Sequence, residues 1–327
     1  MATLSGSTRP TLGDASNIIL NQRIVAYADV LSEMNPIARH ALFWPATGSF
    51  SHQHVQLLSE PTVGWRKLNA GVATSQGTTK PINEPILILE SWSDIDERIV
   101  EHAPQPEALR LSYARRHLSA MMKEFENAFF YGDHATNPEQ PDGLKTRYNT
   151  ATGLDNVTDN GNTSDSATNS SIYIVEWDNE EGAYLAYAEG TPLGLERVDH
   201  GKQRITESSN PLVVYSEQFK MAIALAVADD RGVQRICNID TVSGIANDLN
   251  PNNVIIALSQ MKNPESANKA AYMTRAIWVQ ATIEANAKEN AYYMADSPWG
   301  DGFVPFILNC PLYLAEGIID AEDEVDP

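Results

Sequence analysis

Phe129-Phe130-Tyr131-Gly132-Asp133, with Gly143-Leu144-Lys145-Thr146-Arg147-Tyr148-Asn149 just downstream, is the stretch on which the reading of this 327-residue chain turns. Upstream of it, no Gly or Pro interrupts the run that follows Pro106. Leu111, Ala114, Leu118, Met121, Phe125 and Phe129 recur at three- and four-residue steps, while Arg116, Lys123 and Asn127 fall largely off that stripe. This is the period of a helix with one apolar face. Pro106 suits the first helical position and Gly132 the C-terminal end. About 24 residues at ~1.5 Å rise predict a rod of roughly 36 Å, enough to span a domain.

Toward the N-terminus, residues 1–16 are small and polar, broken by Pro10 and Gly13, and read as an extended arm. Ser16 or Asn17 can cap a helix through Val25, Leu31 and Met34 that ends before Pro36. Residues 49–92 have strand-like flanks, Phe50–Leu58 and Pro85–Trp92, around an excursion punctuated by Pro61, Gly64, Gly71, Gly77 and Pro81. Excursions of that length are uncommon in compact domains unless they bind something. Trp65, Arg66 and Lys67 sit in its middle, and Trp and Arg are enriched at interface hot spots. The competing reading packs Trp65 back on its own domain. Ser93 can cap a short helix through Asp94, Ile95, Ile99 and Val100.

Beyond the long helix, residues 151–171 have the composition of a flexible loop. Ser171–Trp177, Ala183–Tyr187, Leu212–Tyr215, Phe219–Ala228 and Gly232–Ile239 then read as strands, although the Ala content of Phe219–Ala228 also suits a helix. Asp230-Arg231-Gly232 makes a tight turn. Asn253–Met261 and Ser266–Asn290 read as helices, and Phe303–Leu308 and Leu312–Ile319 as short strands. The pattern is α+β, with a strand-rich middle and a helix-rich third part.

Composition narrows the function. A hydrophobic content of 43% belongs to a folded chain, and 327 residues suggest two or more subdomains. The net charge of -20 repels phosphates and argues against a dedicated nucleic-acid binder. After Lys288 there is no Lys or Arg, while Glu316, Asp320, Glu322, Asp323, Glu324 and Asp326 crowd the last stretch. The simplest expectation there is a solvated acidic tail. Cys237 and Cys310 are far apart and lack CxxC spacing, so buried or idle thiols are expected. The first residues lack the pattern of a signal peptide, and no apolar run reaches the ~18 residues of a membrane span. The expectation is a soluble protein made in a cytoplasm, in which Asn156-Val157-Thr158 stays unglycosylated.

Catalytic signatures are missing from the sequence: no GxGxxG, P-loop, HExxH or GxSxG. His52 and His54 alternate on a strand and could face one way, but no third metal ligand lies nearby in sequence. Asp133, His134 and Asp142 share the loop after the long helix and could serve a metal-dependent hydrolase, or equally form turns and caps. Asp155, Asp159 and Asp165 lack the sixth-position glycine and terminal glutamate of an EF-hand. No catalytic, cofactor-binding or metal residues are assigned.

Four segments together resemble the major capsid proteins of short-tailed bacteriophages, with the Hong Kong 97-type fold. Val63-Gly64-Trp65-Arg66-Lys67-Leu68-Asn69-Ala70-Gly71-Val72 resembles that family's extended loop. Phe130-Tyr131-Gly132-Asp133 through Gly143-Leu144 and Arg147-Tyr148-Asn149 resembles the end of its spine helix. Ser171-Ile172-Tyr173-Ile174-Val175 with Trp177 is similar to a later strand, and Val227–Asp240 to the peripheral strand pair. The order of the four supplies the specificity, over about residues 5 to 320.

The resemblance implies an N-terminal arm over 1–48, an extended β-hairpin loop over 49–92, a peripheral domain over 93–240 with spine helix 106–131, and an axial domain over 241–327. That order is shifted relative to many relatives. It also implies a non-enzymatic subunit without cofactors that self-assembles into hexamers and pentamers of an icosahedral head. Trp65, Arg66, Lys67, Leu68 and Asn69 become candidate inter-subunit contacts. Expected partners are other copies, portal and scaffolding proteins and a decoration protein, around double-stranded DNA held without specific binding. The expected location is the virion capsid, with synthesis in the host bacterial cytoplasm and no membrane. A cementing or binding protein of a virion, and a metal-dependent hydrolase on the Asp133 loop, stay open as alternatives.

Overall fold

The computed structural model describes residues 35–152, 155–163, 168–188, 194–207, 210–242, 244, 247–286, 292–300 and 302–325. The arm over 1–16 and the helix expected from Ser16 or Asn17 to Met34 lie outside the described residues. The chain enters through α1 (Pro36–His40), whose N-cap Asn35 accepts from the N–H groups of Ile37 and Ala38. Next come β1 (Phe43–Pro45), β2 (Ser51–Ser59), β3 (Thr78–Pro85), β4 (Leu87–Asp96), α2 (Glu97–Glu101) and the long helix α3 (Pro106–Tyr131). The middle holds α4 (Leu144–Arg147), β5 (Val157–Asp159), β6 (Asn169–Glu176), β7 (Ala183–Tyr187), β8 (Leu195–Glu207), β9 (Asn210–Val227) and β10 (Val233–Asp240). The last part holds α5 (Pro251–Gln260), β11 (Lys269–Met273), α6 (Arg275–Asn286), β12 (Tyr292–Asp296), β13 (Phe303–Ile307) and β14 (Cys310–Leu314).

Among the described residues the strands form three sheets. A five-stranded sheet is built on β9, which carries antiparallel β4 along one edge and β7 then β8 along the other, with β1 parallel to β7. A seven-stranded sheet has the order β12-β13-β14-β11-β6-β10-β5, and β2 and β3 make a ribbon by themselves. Strands β6 and β10 are buried along their whole length. Their alternation serves two cores. Tyr173, Val175, Val233 and Cys237 join the large cluster that includes α3, while Ile172, Ile174, Ile236 and Ile239 pack with residues of α5 and α6. The seven-stranded sheet draws strands from both sides of residue 240, so the boundary expected there cuts through one sheet.

Helix α3 runs over 26 residues, Pro106–Tyr131, as its sequence period predicts, and at ~1.5 Å per residue spans about 39 Å. Beyond the expected stripe it also buries Met122, Glu126, Ala128 and Phe130, because its C-terminal half lies inside the large core. Arg110 ties its first turns to the β8–β9 ribbon, pairing with Asp199 at 2.7 Å and with Glu217. Gly132 ends the helix with φ -54° and ψ 142°, not in the left-handed conformation usual for a terminal glycine. Its requirement is space. A Cβ there would strike the Pro141 carbonyl and meet the Ala128 carbonyl at 2.6 Å.

Several elements differ from expectation for reasons visible in the packing. The return strand of the long excursion is Thr78–Pro85, and Pro85–Trp92 instead falls mostly in β4 of the five-stranded sheet. Pro81 is tolerated in the return strand because a two-stranded ribbon has free edges. Residues 93–96 continue β4, and Asp96, not Ser93, caps the following helix by accepting from Arg98 N–H. Leu212–Tyr215 and Phe219–Val227 belong to one strand. The single helix expected over Ser266–Asn290 is strand β11 followed by α6. Ala270 and Ala271 favour a helix locally, but both are fully buried in a strand paired on its two edges with β6 and β14, and that pairing overrides the local preference. The strand expected over Leu312–Ile319 stops at Leu314.

Candidate functional site: a projecting hairpin and its root

β2 and β3 pair antiparallel from Ser51↔Pro85 to Ser59↔Thr78, and residues 60–77 extend the ribbon. Two side chains stitch the extension, with Thr62 N–H donating to Ser75 Oγ at 3.1 Å and Thr78 N–H to Ser59 Oγ at 3.2 Å. The tip turns at Lys67–Ala70, where Ala70 N–H donates to the Lys67 carbonyl at 3.1 Å. Asn69 takes φ 64° in that turn, a left-handed position that Asn tolerates better than most residues. At ~3.3 Å per residue, the roughly 13 residues from His54 to Lys67 carry the tip up to about 40 Å from its root.

That tip buries nothing of its own. Val63 is 94% exposed, Trp65 103% and Leu68 91%, so Trp65 stands clear of its own domain. Arg66, Lys67 and Asn69 are exposed beside them. The five candidate contact residues are therefore brought together on one projecting turn.

The root is held tightly. Arg147, at the end of α4, grips Glu84 of β3 with two bonds at 2.8 and 2.9 Å, and donates to the carbonyls of Asp142 at 3.0 Å and Leu225 at 3.2 Å. One guanidinium thus joins the hairpin, the junction after α3 and strand β9. On β2, Thr47 N–H donates to His52 Nδ1 at 3.3 Å, so in the neutral ring Nε2 carries the proton and donates to the Tyr184 hydroxyl at 2.7 Å. His54 Nε2 donates to the Val227 carbonyl at 3.0 Å, and its Nδ1 is buried without a partner among the described residues. The two rings stack at 5.7 Å between centroids. Burial lowers the pKa of both. For His52 the neighbouring His54 adds to the shift and Glu84 opposes it; for His54 the Val227 bond and Glu84 oppose it while Arg147 adds to it. The histidine pair is a polar seam, with each Nε2 spent on the body of the protein.

The junction between Gly132 and Gly143 sets where Arg147 sits. Gly143 N–H and Thr146 Oγ1 both donate to the Gly132 carbonyl, at 2.8 and 2.6 Å. A Cβ on Gly143 would meet Gly132 N at 2.7 Å, so both glycines are needed for the two backbone segments to touch. Asp142 accepts from His134 N–H at 2.9 Å, and Asp133 accepts from Ala135 N–H and Thr136 Oγ1. Asp133, His134 and Asp142 are thereby occupied as turn formers. Among the described residues, no three His, Cys, Asp or Glu side chains converge as metal ligands; Asp165 lies outside them. Cys237 and Cys310 are buried free thiols, each pushed up to about 12 by burial.

The acidic C-terminal stretch departs from the solvated tail expected of it. Glu322 is buried against Arg235 at 2.8 Å, accepts from Ser171 Oγ and the Tyr131 hydroxyl, and lies beside Tyr173. Asn238 brackets Val325 with two bonds, accepting its N–H at 2.9 Å and donating to its carbonyl at 2.8 Å. Residues 315–325 are thus clasped to β6, β10 and the end of α3. Asp326 lies outside the described residues.

Set against known proteins, residues 21–326 match the family model of "Major capsid protein GP7". Among solved structures, the chain is similar to the bacteriophage Epsilon15 structure at 22% identity and TM-score 0.62, covering 99% of each chain. Weaker likenesses include the satellite phage P4 procapsid with its size determination protein (10% identity, TM-score 0.41, 72% of this chain and 94% of that one). The holo-SrpI encapsulin complex of Synechococcus elongatus is similar at 12% identity and TM-score 0.44, over 73% of this chain and 93% of that one. No curated protein matches the chain.

Proposed function

We propose, from the premise that this chain belongs to the major capsid protein GP7 family, a division of labour within a phage head subunit. The role itself is structural: the chain is a bacteriophage capsid protein, and a capsid is made by self-association. The finer reading is a Hong Kong 97-type subunit that forms hexamers and pentamers of an icosahedral head around double-stranded DNA. In it, α3 and the five-stranded sheet serve as the peripheral unit, and the seven-stranded sheet with α5 and α6 as the axial unit. Of the residues up to about 48, those ahead of α1 act as an arm while α1 and β1 pack with the peripheral unit, and the β2–β3 ribbon acts as the extended loop. Portal and scaffolding proteins, and a decorating protein outside, complete the proposed set of partners, with synthesis in the host cytoplasm. No helix among the described residues is long and apolar enough to cross a membrane.

The observation that carries this reading is the ribbon. It combines a root fixed by Arg147–Glu84 with a tip whose Trp65 and Leu68 are wholly exposed. Apolar side chains held that far from any core gain stability only when another surface covers them. The acidic balance of the chain would keep the shell from sticking to packaged DNA. Negative-stain electron microscopy after overexpression, alone and with a scaffold, tests the proposal. Closed particles are expected, and a chain that stays monomeric under every assembly condition would refute it.

A further inference from the structure

Where α3, the start of α1 and the stretch after β14 meet, a cavity of about 180 Å³ is walled by Asn35, Ser119, Met122, Glu126 and Glu316, with Lys123 exposed beside them. Glu126 is the unusual member. It is 4% exposed, and its Oε1 has no hydrogen-bond partner among the described residues. Asn35 cannot supply one: its Oδ1 caps α1, and its Nδ2 donates to Glu126 Oε2 at 3.1 Å and to the Met122 carbonyl at 3.4 Å. From the other side the C-terminal stretch presses close, since a Cβ on Gly317 would meet Glu126 Cγ at 2.5 Å. Burial raises the Glu126 pKa and the Glu316 carboxylate adds to the rise, while the N–H groups of Gly317 and Glu316 oppose it. Glu316 is itself exposed, and Arg275 reaches its Oε1 at 3.3 Å. A carboxylate taken out of water needs a positive partner, and two that face one cavity can share it.

We propose that this cavity binds one hydrated divalent cation, Mg²⁺ or Ca²⁺, held between Glu126 Oε1 and the Glu316 carboxylate. Hard divalent cations take oxygen ligands, and for Mg²⁺ one or two carboxylates with retained waters are a usual set. Such a site does not need three converging acidic side chains, and none converge among the described residues. The volume is many times the roughly 10–15 Å³ that one water needs, so the cation enters with much of its shell. The Ser119 hydroxyl, on the same wall, can hydrogen-bond one of those waters. Lys123 does not close the site, because it is exposed and its stem lets the ammonium turn to solvent. Glu126 lies on α3 and Glu316 just past β14, so the cation clamps the C-terminal stretch to the long helix at a point separate from Arg235–Glu322. The inference does not depend on how the chain assembles.

Calorimetric titration of the chelator-treated full chain with Ca²⁺, and separately with Mg²⁺, tests it. About 0.15 M monovalent salt suppresses diffuse binding to the acidic surface. One site per chain is expected. Glu126→Gln, which keeps an acceptor for Asn35, should weaken binding about tenfold or more. Glu316→Gln is an exposed change that leaves the core intact, and it too should weaken binding, by about fivefold or more. Glu139→Gln, on the exposed junction loop, should change nothing, and Lys123→Met should tighten binding. Saturating Ca²⁺ should raise the thermal midpoint of wild type by about 2–5 °C, and that of Glu126→Gln by less than about 1 °C. A chain that takes up no cation, its Glu126 simply holding a proton, would overturn the proposal. So would uptake that survives both Glu126→Gln and Glu316→Gln, since the acidic surface would then account for it. Particle formation is scored separately, so a chain that binds the cation yet never forms shells overturns the shell reading alone.

Discussion

Replacing Arg147 by Ala should unfasten the ribbon without unfolding the body. The side chain makes four hydrogen bonds: two to Glu84, one to the Leu225 carbonyl and one to the Asp142 carbonyl. Its loss leaves the Glu84 carboxylate, whose side chain is only 9% exposed, without its counter-charge. Breaking a fully buried ion pair costs about 3–5 kcal/mol. Arg147 keeps 19% of its side chain exposed, so water can reach part of the vacated site and the loss should be about 2–3 kcal/mol. Each 1.4 kcal/mol is tenfold in an equilibrium, so local opening of the root should rise by about 30- to 140-fold. Amide hydrogen exchange in the free subunit reads this directly at β2 and β3, where exchange proceeds through local opening. The seven-stranded sheet should keep its protection. Arg147→Lys should fall between wild type and Ala, because an ammonium keeps the charge but cannot make the forked contact. Ribbon amides that exchange within threefold of wild type in Arg147→Ala would refute the assignment of Arg147 as the latch.

Four other outcomes follow from the geometry. Gly132→Ala should cost about 2 kcal/mol in chemical denaturation, since the new methyl meets fixed backbone, whereas Gly71→Ala, with nothing within 4 Å, should be silent. Glu322→Ala strands the buried Arg235 guanidinium and should cost about 3–5 kcal/mol, most of it recovered in Arg235→Met with Glu322→Leu, read by thermal unfolding. Because His52 and His54 have folded pKa values below the usual 6.5, the unfolded chain takes up more protons as pH falls through that value; the root should therefore loosen on acidification, and a ribbon whose exchange protection is flat from pH 7.5 to 5 would contradict this. Protease should cut residues 55–80 readily in free subunits and poorly in assembled shells, with equal cleavage in both states counting against tip burial.

What the sequence made legible is what local chemistry decides. The long helix is bounded by Pro106 and Gly132, and nothing between them opposes a helical period, so its limits match the structure to the residue. The ribbon tip is equally local, since Trp65, Arg66 and Lys67 lie in a run with no core pattern around it. β8 is not legible in the same way: Leu195–Glu207 is rich in charged residues and has no strand period, and it is a strand because β9 offers it a long edge. The Ala content of β11 favours a helix, whereas its conformation is set by pairing with β6 and β14, which lie far away in sequence.

The contacts that fix the candidate site belong to the illegible class, and their sequence separations say why. Arg147 and Glu84 are 63 residues apart, and Arg235 and Glu322 are 87 apart. Each member looks like ordinary surface charge until the sheets bring the two together. Glu322 is the sharper case, since it sits in the most acidic stretch of the chain, where solvation is the natural inference. What rescues it from solvent is the pair of strands β6 and β10, which present Ser171 and Arg235 to one point, with Tyr131 from the end of α3 closing it. Both charge pairs converge on the segment from Tyr131 to Tyr148: Arg147 latches the ribbon to it, and the Tyr148 carbonyl accepts from Arg235 at 2.7 Å. The Gly132–Gly143 contact therefore has a mechanical consequence. It fixes one short segment from which the projecting ribbon and the C-terminal clasp are both hung.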